Sequence, residues 1–306
     1  MAEQGTLRQI ADGVYAWLQP DGSWWINNAG AVAGEDGIVL IDTCATAERT
    51  RRWLGALAQA SGDAPIRLAV STHHHGDHTH GNSLLPAGVP IVAHEGTREA
   101  IRTDVIIDGC PPVFSPVPDW GGVTRRLPTV TLTDQVTLFA GTRRIDVRHP
   151  GYVAHTVGDV VAHLPEQGVL FSGDLLFNQV NPLIFMGSLA GALRSLDWLA
   201  AFEPSVVVPG HGPLIDGADL AGVLATHERY YRMIEDAART GLRAGLSPLD
   251  AARQVDLGEF AALPDAERVV LNLHRAYAEA GGPGFDIMAS FADAVAFNGG
   301  PLPTHV

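Results

Sequence analysis

The sequence predicts an α/β chain built in layers, and three observations carry that expectation. Short β-branched runs alternate with stretches of helical periodicity. Histidine or aspartate beside glycine recurs just past the strand-like runs, where ligands gather in α/β folds. At 306 residues, 46% of them hydrophobic, the chain is long enough for one large core with a helical appendage.

The opening reads as a β-meander: Val14–Leu18, Ser23–Ile26 and Gly37–Asp42, separated by Pro20-Asp-Gly22 and Gly34-Glu-Asp-Gly37. Thr46 can cap a helix with Trp53, Leu54, Leu57 and Ala58 on one face, which leads to a buried strand at Ile66–Val70. Pro90–Ala93 is a further strand and Glu95–Ile107 a further helix. Residues 108–128 are rich in proline and glycine but carry Phe114 and Trp120, so this long loop predicts a lid or a pocket wall. Strands return over 130–149 and 160–174, and Ser205–Pro209 reads as a buried strand ending at Gly210-His211-Gly212. Helical periodicity then dominates at 219–243, 247–255 and 264–280, while the last 25 or so residues carry no clear pattern.

Composition narrows the chemistry. The formal net charge is −14 and each of the 20 cationic residues is an arginine, so a lysine nucleophile or Schiff base is excluded. An acidic surface of this kind argues against nucleic acid as a partner. No run of about 18 apolar residues occurs and the N-terminus has no apolar signal region, which predicts a soluble cytoplasmic protein with no membrane partner. Cys44 and Cys110 are too few for a disulfide framework.

The most informative segment is Ser71–Asn82, whose core reads His73-x-His75-x-Asp77-His78. Imidazole and carboxylate are ligands that divalent zinc accepts, and alternation at 73 and 75 points two rings the same way. The cluster is internal, unlike a purification tag, and follows a strand. Asp77 and His78 leave room for a second cation close by. Three later segments place a His or Asp beside glycine or at a turn: Ala154-His155-Thr156, Ser172-Gly173-Asp174 and Gly210-His211-Gly212.

Taken in order, these residues resemble the pattern of the metallo-β-lactamase superfamily over about residues 10–235. The resemblance implies an αββα four-layer sandwich as a single domain, with a helical C-terminal extension over about 236–306. It also implies that His73, His75 and His155 hold one metal, that Asp77, His78 and His211 hold a second, and that Asp174 bridges them. Asp42 matches the strand-end aspartate that orients a ligand histidine; its local alternative is a helix cap. His74, His80, His94, His149 and His163 match no ligand position. Two zinc ions are the expected cofactors, although manganese or iron can occupy such a site. Two dications about 3.5–4 Å apart lower the pKa of a shared water and polarise a carbonyl, so hydrolysis of a carboxylic-acid derivative is the expected reaction. Asp77 is the candidate to orient that water or move its proton.

Within the superfamily, β-lactamases generally have Cys or Ser where Asp174 stands and often use a lysine, so β-lactam hydrolysis is not expected. Glyoxalase II-like or lactonase-type hydrolysis fits the metal set, but the C-terminal region lacks the basic residues used there to hold glutathione. A more diffuse similarity, in Val14–Asn28 and Asn181–Gly187, is to actinomycete second-ring cyclases of aromatic polyketide pathways. That likeness implies cyclisation or thioester release of an acyl-carrier-bound intermediate, with antibiotic biosynthesis as the setting. Trp24, Trp25, Phe114, Trp120, Phe177 and Phe185 are candidates for the pocket wall, and Arg125, Arg126, Arg143 and Arg144 for carrier docking, with plain core and solvated edge as the alternatives. A metal-binding scaffold without turnover remains a separate reading. The expected substrate is a small molecule or an acyl-carrier-bound one.

Overall fold

The computed structural model describes residues 5–306, so the first four residues of the N-terminal stretch read for a leader lie outside it. The first half of the chain forms β1 (Thr6–Ala11), β2 (Val14–Leu18), β3 (Ala29–Gly34), β4 (Gly37–Ile41), α1 (Ala47–Ser61), β5 (Ile66–Val70), α2 (Gly76–Thr79), β6 (Ile91–His94), α3 (Glu95–Thr103), β7 (Phe114–Ser115) and β8 (Val130–Leu132). The second half forms β9 (Gln135–Ala140), β10 (Arg143–Arg148), β11 (Val161–Leu164), β12 (Val169–Phe177), α4 (Leu189–Ala200), β13 (Val206–His211), β14 (Ile215–Asp216), α5 (Leu220–Ala244), α6 (Pro248–Ala252), α7 (Arg268–Glu279), α8 (Ile287–Asn298) and β15 (Leu302–Pro303).

Two sheets face one another. One runs β1-β2-β3-β4-β5-β6-β8, the other β14-β13-β12-β11-β10-β9. Val32, Ile41 and Val92 of the first meet Val147, Leu164 and Phe171 of the second in an apolar core between them. The approach is close: a Cβ on Gly30 would lie 2.0 Å from the Phe171 ring. Trp53 and Leu57 of α1 cover the outer face of the first sheet. Helices α4, α5 and α7 cover the second through Leu196, Leu199, Tyr230, Ile234 and Leu273. The order of layers is αββα, with helices α6 and α8 packed beside α7 at its C-terminal end.

Thr46 caps α1 by accepting from Arg49 N at 3.2 Å, as its sequence position predicts. The expected strand at 23–26 is instead a turn, with Trp25 at φ 68°. Trp and Ile favour strands, but here side-chain amides take over the work of a ladder: Asn27 Nδ2 donates to Thr43 O at 2.8 Å, and Asn28 Nδ2 to Pro209 O and Gly212 O at 2.9 and 2.7 Å. The expected boundary at 235/236 falls inside α5, which runs unbroken to Ala244. Tyr230, Ala251, Leu271 and Phe291 share one apolar cluster with strand β12, so the extension is packed as part of the core. Among the described residues no helix is long and apolar enough to cross a membrane.

Candidate active site

Strand ends deliver the site. His73 and His75 follow β5, Asp77 and His78 lie on the single turn α2, His155 sits between β10 and β11, Asp174 lies in β12, and His211 ends β13. The register of β12 against β13 slips on both sides of Gly173, whose φ is 51°. Such a bulge re-aims the next side chain, here Asp174, towards the histidines. Gly210 of β13 is what lets it fit: a Cβ there would stand 1.8 Å from Asp174 Oδ1.

Seven side chains converge in two groups, His73, His75, His155 and Asp174, and Asp77, His78 and His211. All seven are buried or nearly so. His75 Nδ1 lies 3.2 Å from His73 Nε2 and 2.9 Å from His155 Nε2. Asp174 joins the groups, with Oδ2 3.3 Å from His155 Nε2 and 3.4 Å from His211 Nε2, and Oδ1 3.1 Å from His78 Nε2. Asp77 Oδ2 is 3.2 Å from His211 Nε2.

The outer nitrogens decide what the inner ones carry. His155 Nδ1 donates to Leu183 O at 2.6 Å and His211 Nδ1 to Gly22 O at 2.9 Å. His78 Nδ1 donates to Asp42 Oδ2 at 2.8 Å. Asp42, at φ 58°, also accepts from Thr72 N and Thr72 Oγ1, both at 2.7 Å, and with its hydroxyl proton so committed Thr72 Oγ1 accepts from His73 Nδ1 at 3.1 Å. In the neutral tautomers these partners select, four Nε2 lone pairs point inward. The single ring proton of His75 can bridge at most one of its two close contacts.

Lone pairs and carboxylates crowded in this way need positive charge between them. Burial and the neighbouring imidazoles hold His73 and His75 well below the ordinary histidine pKa. At His78 burial acts downward too, but Asp174, Asp42 and Asp77 overcome it and raise the group well above its ordinary value. His211 is likewise pushed up to about 9, Asp174 and Asp77 outweighing burial. Nitrogen–nitrogen gaps near 3 Å match the edge of a tetrahedron of donors about 2.0–2.1 Å from a zinc ion. The residues therefore fit divalent cations, the charge that would otherwise be supplied by protons on His78 and His211.

One cavity of about 290 Å3 opens from this cluster. His75, Asp77, Asp174 and His211 line its inner end. Trp24, Trp25, Phe114, Phe177, Phe185 and Phe291 stand on its wall. Their rings pack edge-on, as in Trp24 on Phe114 at 5.4 Å and Phe185 on Phe291 at 5.7 Å. Arg268 is the one cation on the wall among the described residues. It is 1% exposed, lies over the Trp24 ring at 4.7 Å, pairs with Asp265 at 2.7 Å and donates to Asn181 O at 2.8 Å.

A model of the metallo-beta-lactamase superfamily matches residues 22–211, a span that holds all seven converging side chains. The chain belongs to that superfamily. Among its relatives, human acyl-coenzyme A thioesterase MBLAC2 is 30% identical over 212 residues, 63% of this chain and 68% of that protein. A hydroxyacylglutathione hydrolase of Cupriavidus metallidurans is 38% identical over 144 residues, 43% of this chain and 44% of that one. Against the first curated relatives it matches, the chain spans about half their length. The solved structure of a stereoselective inverting sec-alkylsulfatase from Pseudomonas sp. covers 93% of this chain and 51% of its own, at 19% identity and a TM-score of 0.69. That likeness shows that the shared fold includes most of the C-terminal helices.

Five of the six aromatic residues expected in the pocket line it. Trp120 stands one layer back, against Ala45, Ala47 and Val123, with its ring 4.9 Å from Trp25 and its Nε1 donating to Ile106 O at 2.8 Å. The expected arginine landing patch does not form. Arg126 donates to the carbonyls of Asn82, Leu85, Pro86 and Val89, and Arg125 to Ile101 O, Asp104 O and the Asp108 carboxylate. Arg143 is tied to Asp12 and Ala33 O, and Arg144 to Asp146 at 2.9 Å. These cations hold the chain's own loops and strands. Arg268, Ile287, Met288 and Phe291 were not legible as wall residues, because none sits in a motif; Leu183 and Met186 belong to the Asn181–Gly187 segment, from which only Phe185 was expected in the wall. His74 lines the cavity with both ring nitrogens unpartnered, and burial pulls it to about 4.

Proposed function

We propose that the chain is a metal-dependent hydrolase of acyl compounds, of the thioester, ester or lactone type. The observation that carries this reading is that two cation-ready clusters joined by Asp174 open directly onto an aromatic-walled cavity. His73, His75 and His155 would hold one cation, Asp77, His78 and His211 a second, with Asp174 between them; imidazole and carboxylate donors suit zinc and also accept manganese or iron. When bound, such a pair supplies Lewis-acid polarisation of a carbonyl and lowers the pKa of a water towards neutrality.

The chain's own residues do the rest. Thr72 and Asp42 fix the ring planes of His73 and His78 from behind, as outer partners of metal ligands do. The Trp24, Phe114 and Phe291 rings hold the acyl group and exclude water beside the reacting carbonyl. Asp77 accepts the proton of the attacking water at its carboxylate. Burial pushes that carboxyl up, but charged His78 and His211 pull it below the usual range, and a cation standing in place of their protons would act in the same direction and keep it ionised.

Relatives named for thioester hydrolysis support the acyl form of this reading. A glutathione thioester fits the wall less well, because its one cation, Arg268, is already paired with Asp265. The cyclase form, acting on a flat carrier-bound acyl chain, is supported by the aromatic wall alone, since the arginines expected to receive a carrier are spent elsewhere. The test is a panel of thioesters, esters, lactones, phosphodiesters and alkyl sulfates, assayed before and after chelation and again after zinc is returned. Turnover of an acyl substrate that disappears with the metal and returns with it is the expected result. Absence of metal-dependent turnover across the panel would reject the proposal in favour of a silent scaffold.

A further inference from the structure

The outer end of the cavity is as apolar as its wall, and it is exposed. Val105, just past α3, and Met288, in the first turn of α8, both line the cavity, yet they are 70% and 60% exposed. Half-buried Ile106 and Ile287 stand beside them. Large exposed apolar side chains are few among the described residues, and two of them sit at this one opening. Isolated exposed apolar residues need no explanation, but a pair at the rim of an apolar cavity makes a continuous hydrocarbon path from solvent to the carboxylates. Two charged side chains besides the site residues line that wall, and both have partners within the chain: Arg268 pairs with Asp265 and donates to Asn181 O, while Asp104, beside Val105, accepts from Ile106 N and lies 3.5 Å from His80 Nε2.

Helix α8 completes the path. Its sequence, Ile-Met-Ala-Ser-Phe-Ala-Asp-Ala-Val-Ala-Phe-Asn, is apolar around nearly its whole circumference, a pattern that belongs to a helix covered on most sides. Phe291 turns inward against Trp24, Phe114 and Phe185. Met288, one turn earlier, is left at the mouth with nothing of the described chain to cover it. A ligand segment passing between Met288 and Val105 would cover both.

We propose that the substrate carries a hydrocarbon chain running from the reacting group at the Asp77 end, along the Trp24–Phe291 wall, and out between Val105 and Met288, so that α8 sets the preference for long chains. The inference rests on the hydrolase reading for the reacting group but not for the chain. Each methylene moved from water to an apolar wall gains about 0.8 kcal/mol, which is about fourfold in binding.

Two measurements separate the two ideas. The first is kcat/KM for p-nitrophenyl esters of acetic, hexanoic and dodecanoic acid, kept below micelle-forming concentrations. It should rise by about two- to fourfold per methylene until the mouth is passed. In Met288→Glu the ratio of dodecanoyl to acetyl kcat/KM should fall by at least tenfold. In Phe139→Glu, which removes an equally exposed aromatic from strand β9, that ratio should stay as in the unaltered protein. The second is binding of a dansylated fatty acid to the chelated, inactive protein, which needs no turnover and should weaken in Met288→Glu and not in Phe139→Glu. Metal-dependent turnover that is flat in chain length would overturn the chain proposal and leave the hydrolase reading standing. Fatty-acid binding at α8 without any turnover would do the reverse. A Phe139→Glu change that lowers the ratio as far as Met288→Glu would also overturn the proposal.

Discussion

Replacing Asp42 with Asn tests the reasoning about the cage at its most constrained point. The carboxylate is 3% exposed and accepts three hydrogen bonds, from Thr72 N, Thr72 Oγ1 and His78 Nδ1, at 2.7, 2.7 and 2.8 Å. Asparagine is nearly the same shape, but one of its two terminal atoms is a donor. The hydroxyl of Thr72 can rotate, whereas the Thr72 N–H and the His78 Nδ1–H cannot. In either amide orientation, then, one fixed donor faces an NH2 group, unless His78 changes tautomer and carries its proton on Nε2. That proton would point at Asp174 Oδ1, now 3.1 Å away, and occupy the lone pair meant for a cation. Loss of such an outer partner costs about 10–100-fold in metal affinity. The same buried mismatch costs on the order of 1–3 kcal/mol of stability. Competitive titration of the chelated protein with zinc should therefore show one site weakened by that factor in Asp42→Asn, with the other nearer its original affinity. If both sites keep their original affinity, His78 is not oriented by Asp42 and the assignment of inward lone pairs fails.

Three further outcomes follow from the same geometry. Gly210→Ala places a Cβ where Asp174 Oδ1 stands, so both sites should lose affinity together, while circular dichroism keeps its α/β signature. For the chelated protein, the charged forms of His211, pushed up to about 9, and of His78 contribute stability that is fully present below the unfolded histidine value near 6.5. The His211 part is lost as pH rises through about 9 and the His78 part as pH rises through its own raised value, so the thermal midpoint should fall as pH climbs through about 9. Zinc affinity should climb over the same window, with protons released on binding, as calorimetry in buffers of different ionisation enthalpy would show.

How much could be read from the chain follows from the range of each signal. The seven converging side chains were legible as a set because the dense His73–His78 segment stands out by itself and the later residues, as in Gly173-Asp174 and Gly210-His211, follow it in the order of the family they resemble. The alternation of strand and helix was legible because periodicity is a local property. The turn at Trp24–Trp25 was not, because its bonds come from Asn27 and Asn28 reaching Thr43, Pro209 and Gly212, between 16 and 184 residues away. Arg126 has the sequence context of a surface cation, and only the folded backbone brings four carbonyls around it.

The sequence by itself determined the layered α/β class, the chemical character of the cage and the order in which its donors arrive, because donor type and strand ends are written locally. Tertiary structure alone decided that α7 and α8 supply Arg268, Met288 and Phe291 to the cavity, and that Trp120 stands behind it. Those outcomes depend on packing between segments far apart in the chain, and the free energy of such packing belongs to the surfaces once they meet. No single stretch of chain carries it beforehand.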